Sequence, residues 1–267
     1  MKKIFLTGAS SGIGLAITQS LTARGDEVWG TSRNLTHLEQ RPQLHPVRLD
    51  LSEARSIEEA FQTALSQAGH FDVVINNAGS GHFGPAEHLS DQEIKKQFQI
   101  LLFSHLQLMR LALAAMRPRG QGLIINVTSL ASRLPVPFMA AYNAAKAAMA
   151  AFTMSIQLEL PDPQIRVVDL QPADISTAFN DAVIKSIPRD PRYEMRVVKT
   201  WRAVDRNMKN APKPELVAEH VLQLIDSKNP PPRVTVGDIF QSKLAPFIFR
   251  FLPQRVRVWG LKRYYGI

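Results

Sequence analysis

The chain contains no cysteine. Disulfides, cysteine-ligated zinc, iron–sulfur clusters and thiol nucleophiles are therefore excluded from its chemistry. It also lacks a long apolar run. The most apolar helical stretch, Leu101 to Met116, is interrupted by His105, Gln107 and Arg110. No segment is expected to supply the roughly 20 apolar residues of a membrane-spanning helix. Met1-Lys2-Lys3-Ile4-Phe5-Leu6 opens like a signal peptide, but the apolar run stops at Thr7-Gly8. Secretion is not expected, and a cytoplasmic location is, with peripheral membrane contact left open. No internal repeat, low-complexity tract or linker divides the 267 residues, which read as one domain. The seven histidines show no metal-ligand spacing. His82 and His88 fall in loops near the carboxyl edge of the strands, where solvated side chains are expected.

Acidic residues are scarce in one place. Over the whole chain 32 Lys and Arg face 23 Asp and Glu, a net charge of +9. Residues 1–184 carry 15 basic and 16 acidic side chains, whereas residues 185–267 carry 17 and 7. The entire excess therefore belongs to the last third, and it bears on what approaches the protein rather than on its core.

Short apolar runs alternate with amphipathic stretches through the first two-thirds. Strands are predicted at residues 3–7, 27–31, 45–49, 71–76, 122–128 and 165–170, with a seventh at 234–236. Helices are predicted over 12–24, from a cap at Ser52 through the helically spaced Ile57, Ala60, Phe61, Ala64 and Leu65, from Ser90 to near Pro118, and over 139–160. Strands apolar on both faces, each joined to the next by a helix, describe an α/β fold: a doubly wound, Rossmann-like parallel sheet. Its ligand crevice is expected at the carboxyl ends of the strands.

Three groups of residues fall on that edge. Gly8, Ser10, Ser11, Gly12, Ile13 and Gly14 join the first strand to the first helix, where glycines let backbone approach a pyrophosphate at the helix N-terminus. No Gly-Lys-Ser/Thr ending follows, which argues against an ATP-binding loop. Thr31-Ser32-Arg33-Asn34 ends the second strand without an acid. Arg33 there suits the 2′-phosphate of NADP, with NAD the less favoured cofactor. Asp50 is a candidate for the adenine edge or for capping the next helix. Finally, Tyr142 and Lys146 lie four residues apart on one predicted helix face, and Ser129 ends the fifth strand. A phenol with an ordinary pKa near 10 becomes a usable acid or base beside an ammonium and a cationic nicotinamide. A serine hydroxyl can hold the reacting oxygen.

Over residues 1 to about 238 the sequence resembles the short-chain dehydrogenase/reductase family. The resemblance rests on Thr7-Gly8-x-x-x-Gly12-x-Gly14, Asp50, Asn76-Asn77-Ala78-Gly79, Ser129, Tyr142-x-x-x-Lys146, and Pro172 with Thr177. It implies an NAD(P)-dependent oxidoreductase of alcohols or carbonyls. Tyr142 would donate the proton, Ser129 would position the substrate oxygen, and Lys146 would bind the nicotinamide ribose and lower the Tyr142 pKa. Asp50 with Leu51, and Asn76, Asn77, Ala78 and Gly79, would border the cofactor. Pro172, Ile175 and Thr177 would lie near the nicotinamide carboxamide. Homodimers or homotetramers are the implied assemblies. Two positions depart from the family pattern. Leu101 stands where an Asn usually holds a relay water, and Ala173 stands where a Gly usually follows the Pro. They motivate an alternative reading, a dinucleotide-binding sensor or scaffold with weak catalysis.

Residues 176–213 are expected to form a helical substrate lid. Lys185, Arg189, Arg192, Arg196, Lys199, Arg202, Arg206 and Lys209 would give it a solvated basic face, or recognise an anionic substrate. Interleaved apolar residues, Ile187 among them, favour a lipophilic alcohol or carbonyl substrate. Residues 239–267 form a separate extension, with seven of the 20 aromatic residues, six basic residues and no acid in its last 28 positions. Such a segment suits packing against the body or a second subunit, or contact with anionic lipid. Nucleic acid is not expected, because no binding motif accompanies the charge.

Overall fold

A computed structural model describes every residue except Ile187 and Arg189, two lid positions that lie outside the described residues. The chain runs β1 (Lys3–Leu6), α1 (Gly12–Ala23), β2 (Glu27–Ser32), β3 (Leu44–Arg48), α2 (Ala54–Ala68) and β4 (Val73–Asn76). Then follow a short β5 (His82–Phe83), α3 (Asp91–Phe98), α4 (Ser104–Met116), β6 (Gly122–Val127), α5 (Ala140–Glu159) and β7 (Ile165–Pro172). The last third holds α6 (Phe179–Ala182), β8 (Ile184–Lys185), α7 (Pro191–Asn210), α8 (Glu215–Asp226), β9 (Arg233–Val236), α9 (Ala245–Phe251) and α10 (Gln254–Tyr265).

Seven strands form one parallel sheet in the order β3-β2-β1-β4-β6-β7-β9, as the alternating pattern of apolar runs predicts. Successive side chains of each strand point to opposite faces. Ile4 and Leu6, Val73 and Ile75, and Leu123 and Ile125 accordingly pack with Ile17, Leu21 and Val217 under α1 and α8. Phe5, Val74 and Ile124 face the other way, against Ile57, Phe61, Leu108 and Met149 of α2, α4 and α5. The order reverses between β1 and β4, and a crevice opens there at the carboxyl ends of the strands.

Several local expectations change. Ser52 does not cap α2: Glu53 occupies that position without a side-chain cap bond. The Ser52 amide and hydroxyl instead bond Asp50 Oδ1 at 2.9 and 2.7 Å, so Asp50 closes a tight turn rather than capping the helix. The Ser90 capping box forms as the sequence implies, with Ser90 Oγ accepting from the Glu93 amide. A π turn, Gln99–Phe103, joins α3 to α4. The resulting helix, Asp91–Arg119, is long enough and, at mean hydropathy 1.4, apolar enough to cross a membrane, contrary to the sequence expectation. Its inward residues Leu108, Met109, Ala112 and Met116 are instead committed to the core beneath the sheet. His82 is not a solvated loop residue: β5 pairs with β8, and the buried ring lies 2.6 Å from Ser186 Oγ.

Phe61 is central to the second core layer, fully buried, with its ring 5.3 Å from Phe5 and 5.6 Å from Phe71. Phe61→Ala is expected to lower unfolding free energy by about 3–5 kcal/mol, measured as a drop in urea midpoint without a change in slope.

Candidate active site

The crevice begins with the glycine turn, which is shaped by the neighbouring strand. Thr7 Oγ1 accepts hydrogen bonds from the amides of Asn77 (2.9 Å) and Ala78 (3.0 Å). Asn77 Nδ2 returns bonds to the carbonyls of Thr7 (3.0 Å) and Gly8 (3.3 Å). Gly8 and Gly12 adopt φ of +70° and +53°, a region that favours glycine. A Cβ on Gly14 would lie 1.9 Å from the Gly8 carbonyl oxygen, so only glycine lets the helix start there. Ser11 at the α1 N-cap makes no side-chain cap bond. The first turn of α1 therefore has no side-chain cap where Gly12, Ile13 and Gly14 line the crevice, an arrangement that fits a pyrophosphate.

Apart from Asn76, the residues singled out from the sequence as catalytic or cofactor-binding line a single cavity of about 1250 Å³. Gly8, Ser10, Ser11, Gly12, Ile13 and Gly14 form one wall. Arg33, Asp50 and Leu51 stand at the end bounded by β2 and β3. The Arg33 charge and the bonds from Ser52, which contribute most, hold the Asp50 carboxyl below its ordinary pKa. Asn77, Ala78 and Gly79 border the centre, and Pro172, Ile175 and Thr177 lie across from the glycine turn. Thr177 is in van der Waals range of a Cβ built on Gly12. Asn76, which the resemblance places beside the cofactor, turns away. It is fully buried and donates from Nδ2 to Asn126 Oδ1 at 2.8 Å.

Ser129, Tyr142 and Lys146 meet on the wall beyond the glycine turn. Ser129 ends the strand segment after β6, and its Oγ accepts from the Ala131 amide at 3.1 Å while its hydroxyl bonds the Tyr142 phenol. Burial raises the Tyr142 pKa, opposed by that Ser129 bond. This reverses the direction expected from the lysine. Lys146 Nζ lies 5.9 Å from the Tyr142 ring centre and donates to the Val127 carbonyl at 2.7 Å. Burial pulls the lysine itself down to about 8, with the Asp169 carboxylate resisting.

Two polar groups beneath the site were not singled out from the sequence. Asp169, buried on β7, accepts from Thr128 Oγ1, Gln171 Nε2 and Arg233 Nε. An acid inside the apolar run Ile165–Leu170 was the available signal. His105 is 1% exposed, and its Nε2 has no hydrogen-bond partner among the described residues. Burial and then the nearby Lys146 charge push its pKa down to about 3, against a bond to the Ala78 carbonyl that works the other way.

The two departures from the family pattern have different consequences. Leu101 is fully buried, and its Cδ2 would lie 3.1 Å from a Cβ on Gly79, so it fills its place with hydrocarbon. Ala173 is accommodated by the glycine beside it, since a Cβ on Gly237 would stand 2.6 Å from Ala173 Cβ. The Ala173 amide continues the pairing of β7 with β9 through the Val236 carbonyl at 2.7 Å.

On the outer side the cavity wall is apolar. Val136, Met139, Tyr142 and Phe179 line it, and they cluster with Phe83, Phe138, Val183, Val197 and Trp201. Phe138 has φ +64°, an uncommon conformation for a bulky residue, just before the helix that carries Tyr142. Helix α7 turns Val197 and Trp201 inward, and exposes Arg192, Arg196, Lys199, Arg202, Arg206 and Lys209 to solvent.

Comparison with known proteins places this geometry in context. Residues 2–187 match a family model described as short chain dehydrogenase. A 3-ketodihydrosphingosine reductase from Bacteroides thetaiotaomicron is 28% identical over 266 residues, 99% of this chain and 98% of that protein. Carbonyl reductase [NADPH] 2 of Sus scrofa is 31% identical over 200 residues, 73% of this chain and 79% of that protein. A short-chain dehydrogenase structure from Streptomyces avermitilis superposes with TM-score 0.82 at 25% identity, covering 98% of this chain and 96% of that one. A short-chain dehydrogenase/reductase from Burkholderia phymatum, solved with NAD, shares the fold at TM-score 0.79 and 19% identity, with coverages of 97% and 95%.

The neutral, buried His105 makes a prediction for acid stability. Unfolded histidine takes up a proton near pH 6.5, whereas the folded ring resists until about pH 3. The unfolded state thus binds more protons between those values, and stability falls as pH falls, by up to about 1.4 kcal/mol per pH unit. His105→Gln should flatten this limb in urea titrations run from neutral to acid pH, relative to the wild type.

Proposed function

Since the chain belongs to the short-chain dehydrogenase/reductase family, we propose that it is an NADP-preferring oxidoreductase interconverting a lipophilic secondary alcohol and its ketone, or reducing an aldehyde. The convergence of Ser129, Tyr142 and Lys146 on one wall of the dinucleotide-sized crevice carries this reading. When bound, the reduced dinucleotide supplies the hydride that the carbonyl carbon accepts. A proton must then reach the carbonyl oxygen, and Tyr142 is the acid that donates it. Ser129, already bonded to the phenol, donates to the same oxygen and fixes it beside Tyr142. Lys146 holds a positive charge next to the pair and presents donors toward the cofactor ribose, and the Asp169 carboxylate favours that charged form.

NADP is favoured over NAD by Arg33 on the crevice wall at the end of β2, where Thr31-Ser32-Arg33-Asn34 contains no acid. The porcine relative is named for NADPH, and the Burkholderia neighbour was solved with NAD, so the preference rests on Arg33 itself. A lipophilic substrate is supported by the apolar outer wall, with Met139, Phe179 and Val204 in the cavity lining. The Bacteroides relative is named for a long-chain ketone, in keeping with such a wall. Helix α5 exposes Met154 and Leu158, the π turn packed against it exposes Phe103, and we assign this side to a homodimer or homotetramer contact.

Two experiments test the reading. Tyr142→Phe should bind NADPH like the wild type while its kcat for reducing an aliphatic ketone falls at least about a hundredfold; undiminished turnover would overturn the proton-donor role. Arg33→Asp should weaken NADPH binding by about tenfold to a hundredfold, the worth of a charge-assisted contact, and leave NADH binding nearly unchanged. Equal losses for both cofactors, measured by fluorescence titration, would refute the ribose-phosphate assignment.

A further inference from the structure

The C-terminal extension is neither loose nor fully absorbed into the body. Its inner side is anchored: Tyr265 and Pro246 are buried, and Tyr264 Oη accepts from Asn207 Nδ2 of α7 at 2.8 Å. Gln241 Nε2 donates to Asp174 Oδ2 at 2.6 Å, two residues beyond Pro172. Phe249, Leu252 and Leu261 complete the cavity wall. These contacts realise the packing expected of the segment, and they leave its outer side uncovered.

That outer side is unusual for a protein surface. Ten of the eighteen large exposed hydrophobic residues among the described residues fall at or after Ile239. Ile239 is 78% exposed, Phe247 64%, Phe251 69% and Trp259 65%, a concentration of exposed large apolar side chains beyond ordinary scatter. Phe247 and Phe251 lie one helical turn apart, with ring centres 5.2 Å from each other, and Arg250 sits beside Phe251. Lys243, Arg250, Arg255, Lys262 and Arg263 are interspersed and exposed, and no acid follows Asp238.

We propose that the outer face of α9 and α10 is a docking surface for an anionic lipid bilayer. Aromatic and aliphatic side chains enter the headgroup region while the surrounding cations meet lipid phosphates. A second copy of the chain fits poorly. A two-fold contact sets the same patch against itself, and here that would oppose one cationic face with another. The same two helices wall the cavity, so docking places the cavity beside the bilayer. Entry of a lipophilic carbonyl compound from the membrane is a consequence that rests on the proposed reductase function; the docking surface does not.

Flotation of the full-length protein with phosphatidylcholine vesicles, with and without phosphatidylglycerol, tests this independently of turnover. The protein should float with the anionic vesicles and not with the zwitterionic ones, and added salt should release it. Arg250→Glu with Arg255→Glu should lower the bound fraction about tenfold. Phe247→Asp with Phe251→Asp should abolish binding while NADPH binding persists. Failure of the wild type to float with anionic vesicles overturns the proposal, as does unchanged flotation of both variants. A fall in oligomer mass of the Phe247→Asp/Phe251→Asp variant, with no vesicle binding by the wild type, would assign the face to a subunit contact instead.

Discussion

The clasp between the ends of β1 and β4 is the constraint on which the site depends. Thr7 and Asn77 exchange hydrogen bonds across the point where the sheet order reverses. That exchange draws the Gly8 carbonyl so close to the start of α1 that no side chain fits at Gly14. It also fixes Ala78 against the glycine turn, where a Cβ on Gly8 would come 2.9 Å from Ala78 Cα. The helix amides are thereby presented to the crevice at a set distance from β4. The clasp uses neutral, partly buried groups, so its contribution lies less in net energy than in the cost of leaving any partner unpaired.

Beyond the clasp, the site is a problem of burying polar groups. Lys146 and Tyr142 are enclosed, and burial pushes both toward their neutral forms. The Asp169 carboxylate works against this for the lysine, which also donates to the Val127 carbonyl, and Ser129 works against it for the phenol. Asp169 is in turn held by Thr128, Gln171 and by Arg233 of the edge strand β9, and its charge acts on Lys146. Removing one partner from such a network leaves a buried charge uncompensated, which costs more than the bond itself contributes. His105 is a further buried group near Lys146, a ring kept neutral first by burial and then by the charge of the lysine.

Much of this was legible in the sequence because the signals were local. Strand positions follow from short apolar runs and helix positions from a 3.6-residue period, and Gly8, Gly12, Gly14, Tyr142 and Lys146 sit at spacings set by a turn and a helix. What was not legible depends on three-dimensional neighbours. Ser52 is an ordinary capping residue until Asp50 claims it. His82 lies in a loop by composition, and only pairing with Ile184, over a hundred residues away, buries it. The fit of Ala173 depends on Gly237, on a strand edge that the local sequence cannot relate to it. The direction of the Tyr142 shift likewise follows from how deeply the phenol is enclosed, which spacing does not encode.

Isotope transfer decides whether the Ser129, Tyr142 and Lys146 site carries out hydride transfer. The full chain is incubated with NADPH deuterated at C4 of the nicotinamide and a long-chain aliphatic ketone, and the product alcohol is examined by mass spectrometry. Deuterium at the carbinol carbon, in one configuration, is the predicted result. Bound NADPH that passes no deuterium to any ketone or aldehyde tested would contradict the account, and would leave a dinucleotide-binding protein without the reaction.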